Sequence, residues 1–325
     1  MLKKCKKEAK VISIAMTSYN GEKYIIQQLE SLKLQTRKID EIILVDDCST
    51  DNTYQLVKEY IKINLPQCRL YKNEQNLGFI KTFKKSIALT NGDIIFLCDQ
   101  DDVWNSNKIE EMSNIMENND KVLSLCSSFT KIDSNGNNII SKNRPFSSNN
   151  GLIRKIMIKD KMYRISIKRV ITYNISPGCT CAFKKELKDE FLNMASNIPH
   201  DLQINIIAAN KSGLYFFNKS LINYRIHSAN TIGLKRDTEI KKRIKKCESD
   251  VREKEILLNY LNKIGVNEVN TRYATKILKY HKERYKNLSN KRRVKGFFDI
   301  FKVFFKYGLV DTFIYDLLII IKSKS

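Results

Sequence analysis

Two short apolar runs in this chain each end in carboxylates. Glu41-Ile-Ile-Leu-Val45 leads into Asp46-Asp47, and Ile94-Ile-Phe-Leu-Cys98 leads into Asp99-Gln-Asp-Asp102. Each run reads as a buried strand, with its acids where the strand would leave a parallel sheet. The crevice outside the carboxyl ends of such strands is where open α/β sheets bind ligands. Four or five carboxylates converging there cannot all be ionised without a cation to offset them. Oxygen donors of this kind suit Mg²⁺ or Mn²⁺, and those ions suit a phosphate-bearing substrate. The spacing therefore points to metal-assisted chemistry on a nucleotide diphosphate.

Positioning these acids requires alternating strands and helices. Residues 11–16 read as the first strand. Asn20-Gly21 then opens a helix with Tyr24, Ile25, Leu29 and Leu32 at helical spacing. A strand over 42–45 precedes Ser49-Thr-Asp-Asn52, which reads as the capping segment of a helix ending near Ile63. A strand over 68–71, a helix over 78–89, a turn at Asn91-Gly92-Asp93, the strand 94–98 and a helix over 106–117 follow. Such alternation implies right-handed crossovers and a parallel sheet. A strand over 122–129 and a turn at Asp133-Ser-Asn-Gly-Asn137 come next. Residues 142–172 show no clean period and read as a variable, mobile acceptor-side segment. Order returns at Ser176-Pro-Gly-Cys-Thr-Cys-Ala-Phe183, with helices from Lys185 and from His200-Asp201 to about Asn210. Strands at 215–218 and at Tyr224-Arg-Ile-His227 close this part.

The chain has 325 residues, 42% of them hydrophobic, with 4 Pro and 11 Gly, which suits one large α/β domain plus a smaller unit without long linkers. The net charge of +23 is unevenly placed: residues 235–295 hold 20 Lys/Arg against 8 Asp/Glu. That block attracts lipid headgroups, nucleic acid or acidic glycans, or is a solvated helical surface. The 8 cysteines form no CxxC pair and no zinc spacing, so a reduced, cytosolic protein is expected. The 11–16 run is too short for a signal-peptide core, and no stretch approaches a membrane span. There is no GxGxxG and no Walker loop.

What is present, in order, is Ile14-Ala-Met-Thr-Ser-Tyr-Asn-Gly21, Val45-Asp-Asp-Cys-Ser-Thr-Asp51, Asn76-Leu-Gly78, Asp99-Gln-Asp-Asp-Val-Trp104, His200-Asp201 and Tyr224-Arg-Ile-His227. This series resembles the family 2 glycosyltransferases of bacteria, in particular the rhamnosyltransferase-like branch that builds O-antigen, capsule and related glycans. The resemblance covers about residues 11–232. It implies a GT-A fold, a Rossmann-like, mostly parallel sheet flanked by helices. It also implies a nucleotide-sugar donor (UDP-, dTDP- or GDP-linked), a divalent metal (Mn²⁺ or Mg²⁺) and inversion at the anomeric carbon. Thr17, Tyr19, Asn20 and Asp47 would hold the nucleoside; Asp99 and Asp101 would touch the ribose and the metal; Asp201 would be the general base. His227 is a candidate third metal ligand, or a satisfied histidine. Two departures stand out. Leu202-Gln-Ile-Asn replaces the aromatic residues usual in that branch, and the QxxRW element of processive synthases is missing, so transfer of one sugar is expected.

Each residue also has a plainer reading. Asp46 and Asp47 suit helix caps, and Asp102 suits either a cap or a ligand. His200 suits packing beside Asp201 as well as catalysis. Trp104 suits a wedge under the acidic turn or a sugar platform. Lys81 suits the diphosphate or solvent, and His281 has no visible role. The rival classes are a nucleic-acid-binding protein, for which no RRM, KH or helix-turn-helix signature exists here, and an inactive nucleotide-sugar-binding scaffold, against which the full carboxylate set argues. A nucleotidyltransferase would need a glycine-rich phosphate loop after the first strand, where this chain has Thr17-Ser-Tyr-Asn-Gly21.

The expected organisation is a catalytic domain over 1–232, a basic helical region over 233–295 and amphipathic helices over 296–325. In that tail Phe297, Phe298, Phe301, Phe304 and Phe305, then Val310, Phe313, Ile314, Leu317, Leu318 and Ile321, recur at helical spacing. A wide apolar face beside a basic block fits an in-plane helix on an anionic membrane surface, or packing on the domain or a dimer partner. A glycan or lipid-linked glycan acceptor at the inner face of the cell membrane follows as the expected partner, and nucleic acid does not.

Overall fold

The computed structural model describes residues 9–140, 146–153, 155–194, 197–227 and 240–289. The chain divides into two compact units, Met1–Asn230 and Thr231–Ser325. In the first, strands β1 (Ile12–Ser18), β2 (Glu41–Asp46), β3 (Cys68–Lys72) and β4 (Ile94–Cys98) are linked by helices α1 (Ile25–Lys33), α2 (Thr53–Asn64) and α3 (Phe79–Leu89). Then come β5 (Val103–Trp104), α4 (Lys108–Asn118), β6 (Ser124–Ile132), β7 (Met162–Arg164), α5 (Ile167–Thr172), β8 (Cys181–Lys184), α6 (Lys188–Asn193), α7 (His200–Asn210) and β9 (Leu214–Arg225).

The sheet runs β3-β2-β1-β4-β8-β6-β9-β5, with β7 also on β9. It is parallel through β3, β2, β1 and β4. Every residue of β4 is buried, as a strand covered on both faces by helices requires. The face of α1 set by Tyr24, Ile25, Leu29 and Leu32 is buried as its spacing predicts. Beyond β4 the sheet is mixed. β8 lies antiparallel to both β4 and β6, whereas β6 and β9 are parallel. No crossover helix separates the Gly178–Thr180 3-10 turn from β8, so strand–helix alternation does not set the direction there.

One local reading sharpens and two change. The N-cap residue of α2, Asn52, makes no side-chain cap bond; Asp51 Oδ1 instead accepts the Thr53 N–H at 3.0 Å. The two pieces expected over 215–227 are one strand, β9, which register shifts opposite Ser127, Ser128 and Thr130 bend along β6. The segment expected to lack order holds β7 and α5, whose 3 and 6 residues are too short to show a period.

In the second unit α8 (Ile240–Lys263) and α9 (Glu268–Ser289) form a helical hairpin that turns at Gly265, with φ +65°. Asp250 gathers Lys246 at 3.0 Å and Arg284 at 3.2 Å. His281 is buried beside them, and burial pushes its pKa down to about 4. Among the described residues no helix is long and apolar enough to cross a membrane. The tail over 296–325 lies outside the described residues.

Candidate active site

The carboxyl ends of β1, β2 and β4 lie side by side, since Ser18 pairs with Asp46 and Met16 with Cys98. Three loops meet there. In the first, Tyr19 is 44% exposed and Thr17 is half-buried. Asn20 takes a left-handed φ of +46° and accepts the Thr50 N–H at 2.8 Å, tying the β1 loop to the β2 loop. Gln100 clamps Tyr19 from the other side: its Oε1 accepts the Tyr19 N–H at 2.7 Å and its Nε2 donates to the Tyr19 carbonyl at 2.9 Å. A Cβ at Gly21 would fall 2.3 Å from that amide, so only glycine permits the clamp.

The acids of β2 are internally satisfied. Asp46 is fully buried and accepts from Ser18 Oγ at 2.9 Å, Ser49 N at 2.9 Å and Ser49 Oγ at 2.6 Å. Asp47 accepts from Asn73 Nδ2 at 2.8 Å, Leu77 N at 2.8 Å and Gly78 N at 2.9 Å. Neither caps α2. Asp47 shapes the loop over 73–78, and Gly78 enters α3 at φ +79°, where a side chain is disfavoured. Lys81 is exposed just inside α3.

The acids after β4 are arranged differently. Asp99 is half-buried and Asp102 fully buried. One oxygen of each, with Cys179 Sγ, falls in a group whose atoms all lie within 4.8 Å of one another. Asp102 Oδ1 accepts the Arg225 N–H at 3.0 Å, while its Oδ2 is buried with no hydrogen-bond partner. Asp101 Oδ2 sits 2.8 Å from His227 Nε2. Burial, and then Asp102, Asp101 and Asp201, hold the Asp99 carboxyl well above the usual range. Burial and Asp101 push Asp102 up to about 7. This group has more negative charge than its surroundings offset, and an orphaned oxygen within it. A hard divalent cation fits carboxylates gathered in this way; among the described residues the group drawn together is Asp99 with Asp102 and Cys179, whereas the expected ligands Asp101 and His227 pair with each other.

Asp201 opens α7 and is 6% exposed. Asn174 Nδ2 donates to its Oδ2 at 3.2 Å. A Cβ at Gly178, the residue before Cys179, would fall 3.2 Å from the Asp201 Cβ, so Asp201 lies beside the turn that carries Cys179 although it is far from Asp99 in sequence. His200 belongs to the packing: it stacks on Phe83 at 3.7 Å between centroids, neither ring nitrogen has a hydrogen-bond partner, and burial lowers its pKa to about 4. Trp104 is 3% exposed, with Lys108 Nζ 3.3 Å over its ring centroid. It is a wedge beneath the acidic turn and leaves no face for a sugar. Asp102 does not cap α4, because its carboxylate faces Arg225.

Several residues that hold the site together are ones to which the motifs assign no role. Arg225 is buried and donates from Nε to the Asp101 carbonyl at 2.8 Å and from Nη1 to the Asp133 carbonyl at 3.2 Å. Its Nη2 also meets Gln27 Oε1. It thereby fixes the acidic turn to the end of β9. Lys108 is fully buried and donates to the Cys179 carbonyl at 2.5 Å; burial lowers its pKa to about 8. Its signal was available, since Lys108 shares the buried face of α4 with Ile109, Met112 and Met116.

The family model described as Glycosyl transferase family 2 matches residues 13–190. The chain belongs to that family. It is 28% identical to an uncharacterized glycosyltransferase of Methanocaldococcus jannaschii over 97% of this chain and 94% of that one. The crystal structure of Staphylococcus aureus TarS 1–349 in complex with UDP superposes with a TM-score of 0.58 at 19% identity, covering 88% of this chain and 75% of that one. TarS is named a poly(ribitol-phosphate) β-N-acetylglucosaminyltransferase, and 34% identity to it extends over 30% of this chain and 18% of the whole TarS chain. The mannosyltransferase PcManGT from Pyrobaculum calidifontis, in complex with GDP-Man and Mn²⁺, superposes with a TM-score of 0.52 at 14% identity over 98% of this chain and 88% of that one. The fold is GT-A, an α/β sheet flanked by helices, and the chain is a glycosyltransferase.

Proposed function

We propose that this protein is a metal-dependent, inverting enzyme that moves one sugar from a nucleotide diphosphate to a hydroxyl of a cell-surface glycan precursor. The observation that carries the reading is the gathering of Asp99 and Asp102 at the turn that holds Cys179, with Asp201 beside the same turn, where a Cβ at Gly178 would fall 3.2 Å from the Asp201 Cβ. Thr17, Tyr19 and Asn20 present the nucleoside-binding edge, with Asp47 holding the loop beside it. Asp99 and Asp101, with His227, would hold a divalent ion beside the diphosphate. When bound, Mn²⁺ or Mg²⁺ supplies charge relief on the departing diphosphate. Asp201, oriented by Asn174, takes the proton of the incoming hydroxyl. The new C–O bond then forms on the face opposite the breaking bond to phosphate, and the nucleoside diphosphate leaves. TarS, named for transfer to poly(ribitol-phosphate), supports an acceptor drawn from cell-envelope polymers. A lipid-linked acceptor would place the enzyme on the inner face of the membrane, with the basic 235–295 block toward anionic lipid.

The test is a screen of UDP-, dTDP- and GDP-linked sugars for donor hydrolysis with Mn²⁺ and with EDTA. Hydrolysis of one donor class with Mn²⁺ and none in EDTA is expected. No hydrolysis and no nucleotide binding for any donor would overturn the reading. Co-sedimentation of full-length protein with anionic vesicles at low salt, lost at high salt, tests the membrane placement; no sedimentation at low salt contradicts it.

A further inference from the structure

Cys179 sits inside the acidic group, yet glycosyl transfer as proposed gives its thiol nothing to do. It lies in the 3-10 turn Gly178–Thr180 and is 1% exposed. Its Sγ and one oxygen each from Asp99 and Asp102 lie within 4.8 Å of one another. A small contraction would bring these three atoms onto one ion. A second observation points to a ligand there: Asp102 is fully buried, and its Oδ2 has no hydrogen-bond partner while its other oxygen is committed to Arg225. Two carboxylates alone would favour Mg²⁺ or Mn²⁺. A thiolate added to them changes the preference toward softer ions, because Zn²⁺ takes mixed sulfur and carboxylate ligands in a tetrahedral set.

We propose that Asp99, Asp102 and Cys179 form a binding site for a thiophilic divalent cation, Zn²⁺ or Cd²⁺, which competes with the oxygen-bound ion for Asp99. On binding, the S–H bond breaks, its proton passes to bulk water and a sulfur–metal bond forms. Two carboxylates and one thiolate outweigh a divalent charge by one, and Lys108, bonded to the Cys179 carbonyl at 2.5 Å, offsets the remainder. A solvent water completes four-coordination. The competition for Asp99 rests on the function proposed above; the site itself does not.

Cobalt is the probe, as a spectroscopic substitute for zinc, added to full-length protein without nucleotide. Wild type should develop the intense near-ultraviolet sulfur-to-cobalt charge-transfer band, and zinc should bleach it. Cys179→Ser should lose the band and bind zinc ~100-fold or more weakly, since even outer-shell losses cost about 10–100-fold. If Cys179→Ser fails to fold, zinc-edge X-ray absorption of the wild type decides, with one sulfur at about 2.3 Å expected. Asp102→Asn, which keeps the thiol, should also weaken zinc. A wild-type spectrum without the charge-transfer band, a zinc shell of oxygen and nitrogen alone, or an unchanged band in Cys179→Ser would each overturn the site. None of these readouts depends on donor hydrolysis, so failure of the enzymatic reading leaves them interpretable.

Discussion

Asp46-Asp47 and Asp99-Gln-Asp-Asp102 look alike in sequence, each a cluster of acids ending an apolar strand, but their surroundings divide them. Asp46 and Asp47 receive six hydrogen bonds from neighbouring side chains and backbone amides. Those donors bind the β1 and β2 loops and the loop over 73–78 into one rigid edge. Asp99, Asp101 and Asp102 crowd together with one oxygen orphaned, and two of them are held protonated more readily than a free carboxylate. A carboxylate supplied with donors is architecture; one supplied with other carboxylates is a cation site in waiting. The distinction lies in the partners, which come from distant parts of the chain.

The largest effect that could break the comparison lies across the acidic group. Asp201→Asn should lower turnover by ~10²–10⁴-fold while leaving donor affinity within a few-fold. Equal losses in both, measured by steady-state kinetics and calorimetry, would make Asp201 structural. Next, the two acidic ends should respond oppositely to neutralisation. Asp46→Ala strands Ser18, Ser49 and the Ser49 amide and should cost about 3 kcal/mol, on the scale of hydrogen bonds to a charged group. Asp102→Asn in EDTA at pH 8 should instead gain on the order of 1–3 kcal/mol, because burial raises the native carboxyl to about 7. Urea unfolding compares them, and destabilisation by both would erase the contrast.

The pH dependence sharpens it. Between pH 3.8 and about 7 the native state binds the Asp102 proton more tightly than the unfolded state, so this residue's stabilisation is lost as pH rises through 7. His200 works the other way. Its native pKa of about 4 lies below the unfolded 6.5, so stability falls as pH drops from 6.5 to 4, by up to about 3 kcal/mol. The two slopes offset one another in the wild type in EDTA. Asp102→Asn should expose a steeper acid-side loss, and His200→Phe should reverse it, with stability rising as pH falls from 7 toward 4; parallel profiles for all three proteins would contradict this. The smallest expected change is Gly78→Ala. A Cβ there meets nothing within 4 Å, so the cost is that of holding a side chain at φ +79° and ψ 154°, a backbone region essentially reserved for glycine, on the order of 1–3 kcal/mol by urea unfolding.

How much of this was legible follows from the physics of each half of the sheet. β1, β2 and β4 are buried on both faces and show as continuous apolar runs, so their acids could be located within a residue or two. α7 was legible at both ends, starting at His200 and closing at Asn210. Past β4 the strands are antiparallel or bulged and their pairing is set by distant contacts, which no local period reports. For the same reason Arg225, Gln100 and Asn73 were silent: each acts by reaching across from one loop to another. Trp104 and His200 were ambiguous because an aromatic beside a motif looks the same whether it packs beneath the site or faces substrate.

The account stands on the acids after β4 binding a metal together with a nucleoside diphosphate. The most direct measurement is calorimetric titration of UDP, dTDP and GDP into wild type and Asp101→Asn, each with Mn²⁺ and with EDTA. At least one nucleotide should bind wild type with Mn²⁺ and weaken ~10-fold or more in EDTA, the lower bound for disrupting a metal site, and Asp101→Asn should behave in Mn²⁺ as wild type does in EDTA. Equal wild-type affinity with and without metal, or a full metal effect retained by Asp101→Asn, would contradict the account.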